Sequence, residues 1–134
     1  MIIESPVIEV GRSVAFLKEH LSNPANLEAL LPSEHVTAFA CENDQCSFKV
    51  TGGFSVIIKC EPTDLPNRVR YSSQKGTPIR FELDIILGAT SDLQSSLQVV
   101  CDADLNPFMK MMAEKPLQAI FSGMAAAAQS AFPV

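Results

Sequence analysis

The sequence predicts an α+β fold in which a seven-stranded, curved antiparallel sheet wraps around a long C-terminal helix. Three observations carry this. Between Glu34 and Asp104 the apolar residues recur with a period of two, the period of half-buried strands. The connections between those runs are short turns, too short for the crossovers of a parallel sheet. From Asn106 to Phe132 the apolar spacing changes to three and four, and this is the longest helical pattern in the chain. The predicted order is β-α-α-β-β-β-β-β-β-α.

The elements follow in order. Ile2 to Val10 is rich in β-branched residues, and Pro6 suits an edge strand because it cannot donate to a ladder. After Gly11, Arg12 to His20 has helical spacing through Val14, Phe16, Leu17 and Leu21, with Ser13 as the cap. Asn23-Pro24 opens a second short helix with Leu27, Leu30 and Leu31 on its apolar face, and Pro32 closes it at Leu31. In the next strand Val36, Ala38 and Ala40 alternate with His35, Thr37 and Phe39. A polar turn over residues 42–45 leads to Cys46, Phe48 and Val50.

Gly52-Gly53 is the next turn signal. Val56, Ile58 and Cys60 then share one face. Val69 and Tyr71 face away from Arg68 and Arg70. Ile79, Phe81, Leu83, Ile85 and Leu87 alternate with Arg80, Glu82 and Asp84, the cleanest pattern in the chain. Residues 88–92 read as a turn, before Leu97, Val99, Cys101, Ala103 and Leu105. In the last segment Asn106-Pro107 is a cap followed by proline at the first helical position. Pro116, inside the helical pattern, predicts a break there. A short segment with Phe108, Met109, Met111 and Met112 would precede a longer one from about Lys115.

Composition limits function. The 134 residues predict one domain with a real core. Ten basic against fifteen acidic side chains give a net charge of −5 without a basic cluster, which argues against a nucleic-acid partner. No run reaches the ~18 apolar residues of a membrane span, and MIIESPVIEV lacks the basic start of a signal peptide. The reading is therefore cytoplasmic. Cys41, Cys46, Cys60 and Cys101 lack metal-ligand spacing, and His20 and His35 join no cluster, so no metal or cofactor is predicted. The cysteines read as free thiols, although Cys41 and Cys46 flank a turn and can face each other.

No nucleophile motif or phosphate-binding loop is present. Lys59, Glu61, Arg80, Glu82, Asp84, Asp102 and Asp104 fall on the outward parity and read as a solvated face. Tyr71 has inward parity; its hydroxyl either meets a ligand or finds a backbone partner. His35 falls near one end of the sheet. Cys60 and Cys101 read as small hydrophobes. The last helix is poor in charge beyond Lys115, which suits burial or a homodimer contact. Its methionines can line a pliable pocket or fill an irregular core.

The element order, with Phe16-Leu17, Asn23-Pro24, Leu30-Leu31-Pro32 and the junction Asp104-Leu105-Asn106-Pro107, resembles the START-like superfamily (Bet v 1-like, SRPBCC, polyketide cyclase/dehydrase). Its small single-domain bacterial members look closest. The resemblance covers the whole chain through order and pattern. It implies a helix-grip fold and a cavity between sheet and last helix that takes lipids, polyketides or other apolar molecules. Some members of the superfamily are cyclases or hydrolases and others only bind. The residues expected to line such a cavity are Val56, Ile58, Tyr71, Phe81, Leu83, Val99, Leu117, Ile120, Phe121 and Met124. The expected partner is a small apolar ligand. Without an ionisable inward residue, binding ranks above catalysis.

Overall fold

A computed structural model describes residues 1–51 and 53–134. Gly52, half of one turn signal, lies outside the described residues. The elements are β1 (Ile2–Glu4), β2 (Ile8–Val10), α1 (Val14–Leu21), a 3-10 turn (Pro24–Leu27), β3 (Val36–Glu42), β4 (Gln45–Val50), β5 (Ser55–Glu61), β6 (Arg68–Ser73), β7 (Arg80–Ser91), β8 (Gln94–Asp104) and α2 (Pro107–Ala131). The strands form one antiparallel sheet in the order β1-β8-β7-β6-β5-β4-β3, with β2 also pairing with β8. The sheet is curved and α2 lies against it, the helix-grip arrangement.

Among the described residues there are eight strands rather than seven, because Pro6 divides the first. β1 and β2 still lie in one lane along β8, with Ile3 opposite Cys101 and Ile8 opposite Leu97. Ser5 bridges the break. Its N–H donates to the Val99 carbonyl at 2.8 Å, and its hydroxyl accepts the Val99 N–H at 2.9 Å. A side chain thus replaces a ladder partner that the interrupted strand cannot supply.

The helix starts follow their caps. Ser13 Oγ accepts the Phe16 N–H at 3.1 Å, and Asn106 Oδ1 accepts the Met109 N–H at 2.8 Å with Pro107 at the first position. The second predicted helix is reduced to the 3-10 turn. Asn23 caps it, but four residues are too few to sustain α-helical bonding, and residues 28–35 run as two turns joined by a bend at Leu31.

Three other expectations change. β3 carries a bulge between Thr37 and Ala40, where Ala38 takes a φ of +57°. The extra residue inverts the parity beyond it. Phe39 packs against the core and stacks on Phe48 with ring centroids 6.5 Å apart, while Ala38 and Ala40, which the alternation groups with buried Val36, are exposed. Residues 88–91 are strand, not turn: Gly88 pairs with Ser96 and Ala89 with Ser95, and only Asp92-Leu93 turn the chain.

Finally, α2 is continuous for 25 residues with Pro116 inside it. Proline costs one hydrogen bond to the carbonyl of residue 112. Met112 is 58% exposed, so water is at hand for that carbonyl.

The core lies between the sheet and its helix. Leu117, Ile120, Phe121, Met124, Ala125 and Ala128 of α2 are buried against the inner face. On the outer face Arg70 grips Asp84 through two hydrogen bonds, 2.8 and 3.2 Å, and Arg68 reaches the same carboxylate at 3.4 Å. The Asp84 carboxylate raises the Arg70 pKa still further, so the guanidinium stays charged.

The chain end closes over α1. The Gly11 N–H donates to the Phe132 carbonyl at 2.7 Å, and a Cβ at position 11 would stand 2.2 Å from the Pro133 oxygen. Only glycine admits that approach. Phe132 meets Phe16 and His20 edge-on, with the Arg12 guanidinium over both phenylalanine rings.

Candidate functional site

Where α2 faces β4, β5 and β7, a cavity of about 20 Å³ remains. That is room for about one water-sized sphere, and no polar atom lines it. Its walls combine four layers of structure. The sheet supplies Phe48, Val56, Ile58, Phe81 and Leu83. α2 supplies Leu117, Ile120, Phe121 and Met124. The 3-10 turn supplies Leu27, and the segment after it supplies Leu31.

The sheet residues reach the cavity because inward parity brings alternate side chains of each strand to one face. Cross-strand pairing then aligns them, with Phe48 opposite Val56. The helix residues reach it by their spacing of three and four.

Of the residues expected to line a cavity, Val56, Ile58, Phe81, Leu83, Leu117, Ile120, Phe121 and Met124 come together here. Tyr71 and Val99 are buried on the same face but do not line it. The Tyr71 hydroxyl donates to the carbonyl of Leu21 at the end of α1. Between the two roles open to it, Tyr71 takes the backbone partner. Burial pushes its pKa well above that of an ordinary phenol, so the hydroxyl stays a donor. Val99 faces β7 opposite Ile85, away from this end of the cavity wall.

The reading of the sequence missed Leu27, Leu31 and Phe48. Phe48 has inward parity and a signal was present. Leu27 and Leu31 sit in the segment expected to be a second helix, where apolar spacing shows a buried face but not what it touches.

Leu31 differs from the other lining residues. The rest are buried and Leu31 is half-buried, so the cavity comes nearest to solvent there. The following residue, Pro32, packs on α2 at Gly123, where an added Cβ would lie 3.0 Å from the proline ring. This edge of the cavity is thus formed by an irregular segment resting on a glycine of the gripped helix.

The other polar candidates stand apart. His35 is half-buried behind Pro32, its backbone paired with Pro32 and Thr51. Cys101 is fully buried on β8, and burial pushes its thiol up to about 12. Cys60 is half-buried opposite Tyr71, and burial raises its pKa. Met124 lines the cavity, whereas Met111 and Met112 are 84% and 58% exposed next to Phe108 at 68%. Among the described residues no group of three His, Cys, Asp or Glu side chains is placed to hold a metal, and no helix is long and apolar enough to cross a membrane.

No protein-family model and no curated protein matches this chain. Solved structures do match it. An uncharacterized protein from Bacillus thuringiensis aligns over 98% of each chain at 16% identity with a TM-score of 0.72. Norcoclaurine synthase from Thalictrum flavum, in complex with dopamine and hydroxybenzaldehyde, aligns over 98% of this chain and 85% of its own at 15% identity, TM-score 0.72. A START superfamily protein from Mycobacterium smegmatis aligns over 97% of this chain and 98% of its own at 16% identity, TM-score 0.63. At such identities the likeness is one of fold.

Proposed function

From the START/Bet v 1-like helix-grip fold that this chain adopts, we propose that the protein binds or carries a small apolar molecule between its sheet and α2. The observation that carries the reading is the lining: eleven side chains from sheet, helix and turn converge on one space, and all are apolar. Affinity would come from burial, about 25 cal/mol per Å² of apolar surface removed from water. The norcoclaurine synthase structure, with two small aromatic molecules bound, lends the reading fold-level support.

The cavity as it stands is far below the ~300 Å³ of a typical small-molecule site. Entry therefore requires the helix and the turn segment to part. Leu31 and Pro32 are the natural place, because the backbone there is irregular and Pro32 rests on Gly123 of α2, which has no side chain. A cytoplasmic setting belongs to the same proposal, with four free thiols as its support.

Native mass spectrometry of gently purified protein tests this reading, followed by titration with naphthalene-type fluorescent probes. A retained apolar molecule, or saturable probe uptake that quenches on competition with a fatty acid or aromatic, is expected. A clean unliganded mass together with no saturable uptake of any apolar probe would overturn it.

A cyclase or hydrolase acting in the same space is the weaker reading, because it requires an ionisable group within reach of the substrate. Every lining residue is aliphatic, phenyl or thioether.

A homodimer contact has one specific observation in its favour. Phe108, Met111 and Met112 make an exposed apolar stripe on the first half of α2, spaced by three and four. Sedimentation at rising concentration decides it: a dimer that dissociates in Met111→Lys supports the contact, and a monomer throughout removes it.

A further inference from the structure

We propose that Cys41 and Cys46 form a thiol modification site, at which small-molecule disulfides close the pair into a cross-strand disulfide within the β3–β4 hairpin. The argument starts with the bulge at Ala38. Without it, Cys41 would share the parity of Thr37 and point to the outer face. With the extra residue, Phe39 and Cys41 turn to the inner face, where Phe48 and Cys46 already point.

Register does the rest. Cys41 and Cys46 are direct partners across the hairpin, one step outward from the closing pair Glu42 and Gln45. The closing pair of a two-residue hairpin is hydrogen-bonded, so the next pair is the non-hydrogen-bonded kind. In such a pair the Cα atoms stand about 4.5 Å apart, within the roughly 4.4–6.8 Å that a disulfide spans. Directly opposed across the ladder, the two side chains project from the same face of the hairpin.

The pair is also asymmetric. Cys41 is exposed and Cys46 is buried, so an external disulfide meets Cys41 first. Cys60 is not a rival partner: it stands opposite Tyr71, while the strand neighbour of Cys46 on β5 is Ile58.

The chemistry is thiol–disulfide exchange. The Cys41 thiolate attacks one sulfur of the small disulfide. A mixed disulfide forms, the external S–S bond breaks, and the departing thiolate takes up the proton that Cys41 released. Cys46 then loses its proton and attacks the Cys41 sulfur, expelling the second small thiol, which carries that proton away. Two protein thiols are oxidised, and one external disulfide is reduced to two thiols.

The test treats the full chain with 2-hydroxyethyl disulfide, then alkylates, digests with trypsin and weighs the peptides. Cleavage at Lys and Arg leaves Cys41 and Cys46 together in peptide 19–49, Cys60 in 60–68 and Cys101 in 81–110. The expected result is a 19–49 peptide lighter by two hydrogens that takes no alkyl groups, reversed by dithiothreitol. Cys46→Ala should instead retain one mercaptoethanol adduct on Cys41, which shows that the second step needs Cys46. A wild-type chain that stays fully alkylatable, keeps a stable adduct on Cys41, or links peptide 19–49 to 60–68 would overturn the proposal. Far-ultraviolet circular dichroism confirms that each variant is folded before it is scored.

Discussion

Replacing Phe121 by alanine is expected to cost about 3–5 kcal/mol of folding stability, the range for deleting a buried aromatic ring from a core. For a chain of this size that is roughly 10–20 °C in Tm. Phe121 is 4% exposed and stands in the helix wall of the cavity, between Leu117 and Met124. Its loss adds the volume of a phenyl ring to a space of about 20 Å³ whose lining is already apolar. Engineered apolar cavities of about 150 Å³ stay dry and accept benzene. Benzene or indole should therefore raise the Tm of Phe121→Ala and leave the wild type nearly unmoved. Thermal denaturation with and without these compounds reads both effects. A loss below about 1 kcal/mol would mean that the ring is not gripped between sheet and helix.

Tyr71→Phe is expected to cost about 1–3 kcal/mol, because it strands a buried acceptor. The Leu21 carbonyl belongs to the last turn of α1, where carbonyls have no partner within the helix. The Tyr71 hydroxyl supplies that partner from 50 residues away. Urea denaturation of the two proteins measures the difference, and an unchanged midpoint would show that water replaces the hydroxyl.

A pH series adds a second readout. Burial raises the Tyr71 pKa in the folded chain above its unfolded value of about 10. The stability held by the neutral phenol is complete below that unfolded value and is lost as pH rises past it. The thiols of Cys46 and Cys101, both pushed up to about 12, begin the same kind of loss at lower pH, in wild type and variant alike. Above about pH 10 the wild type should therefore lose stability faster than Tyr71→Phe.

These two residues also mark how far the sequence could be read. Phe121 was legible because helical spacing and strand parity are both geometric consequences of backbone repeat, and each fixes a face. The same rule reached most of the cavity wall. Tyr71 was legible only as inward. Its partner is a carbonyl on another element, and no local pattern encodes a contact across 50 residues.

The bulge at Ala38 lay beyond reach for a related reason. An alternating run looks the same whether or not one residue is skipped, so the alternation groups Ala38 and Ala40 with Val36 although the bulge parts them. Pro116 misled in the opposite direction. A local rule predicted a break, yet the packing of Ala113, Leu117 and Ile120 on either side outweighs one missing hydrogen bond. Leu31 needed the tertiary structure, since an isolated Leu-Leu-Pro cannot say that its second leucine lines a cavity.

The late position of α2 has a consequence for biosynthesis. Translation delivers the chain in order, at ~5–20 residues per second. Every strand of the sheet emerges before the helix it grips. Until residues 107–131 clear the ribosome, only α1 and the turn segment after it can cover the inner apolar surface, and the part that meets α2 stays open. The β1–β8 pairing, which joins Ile3 to Cys101, is equally deferred. For on the order of a few seconds the nascent protein is an open, sticky sheet with unpaired edges, and contacts this distant in sequence are slow to form. Cellular yield should depend on chaperones that shield such surfaces more than the stability of the finished fold would suggest.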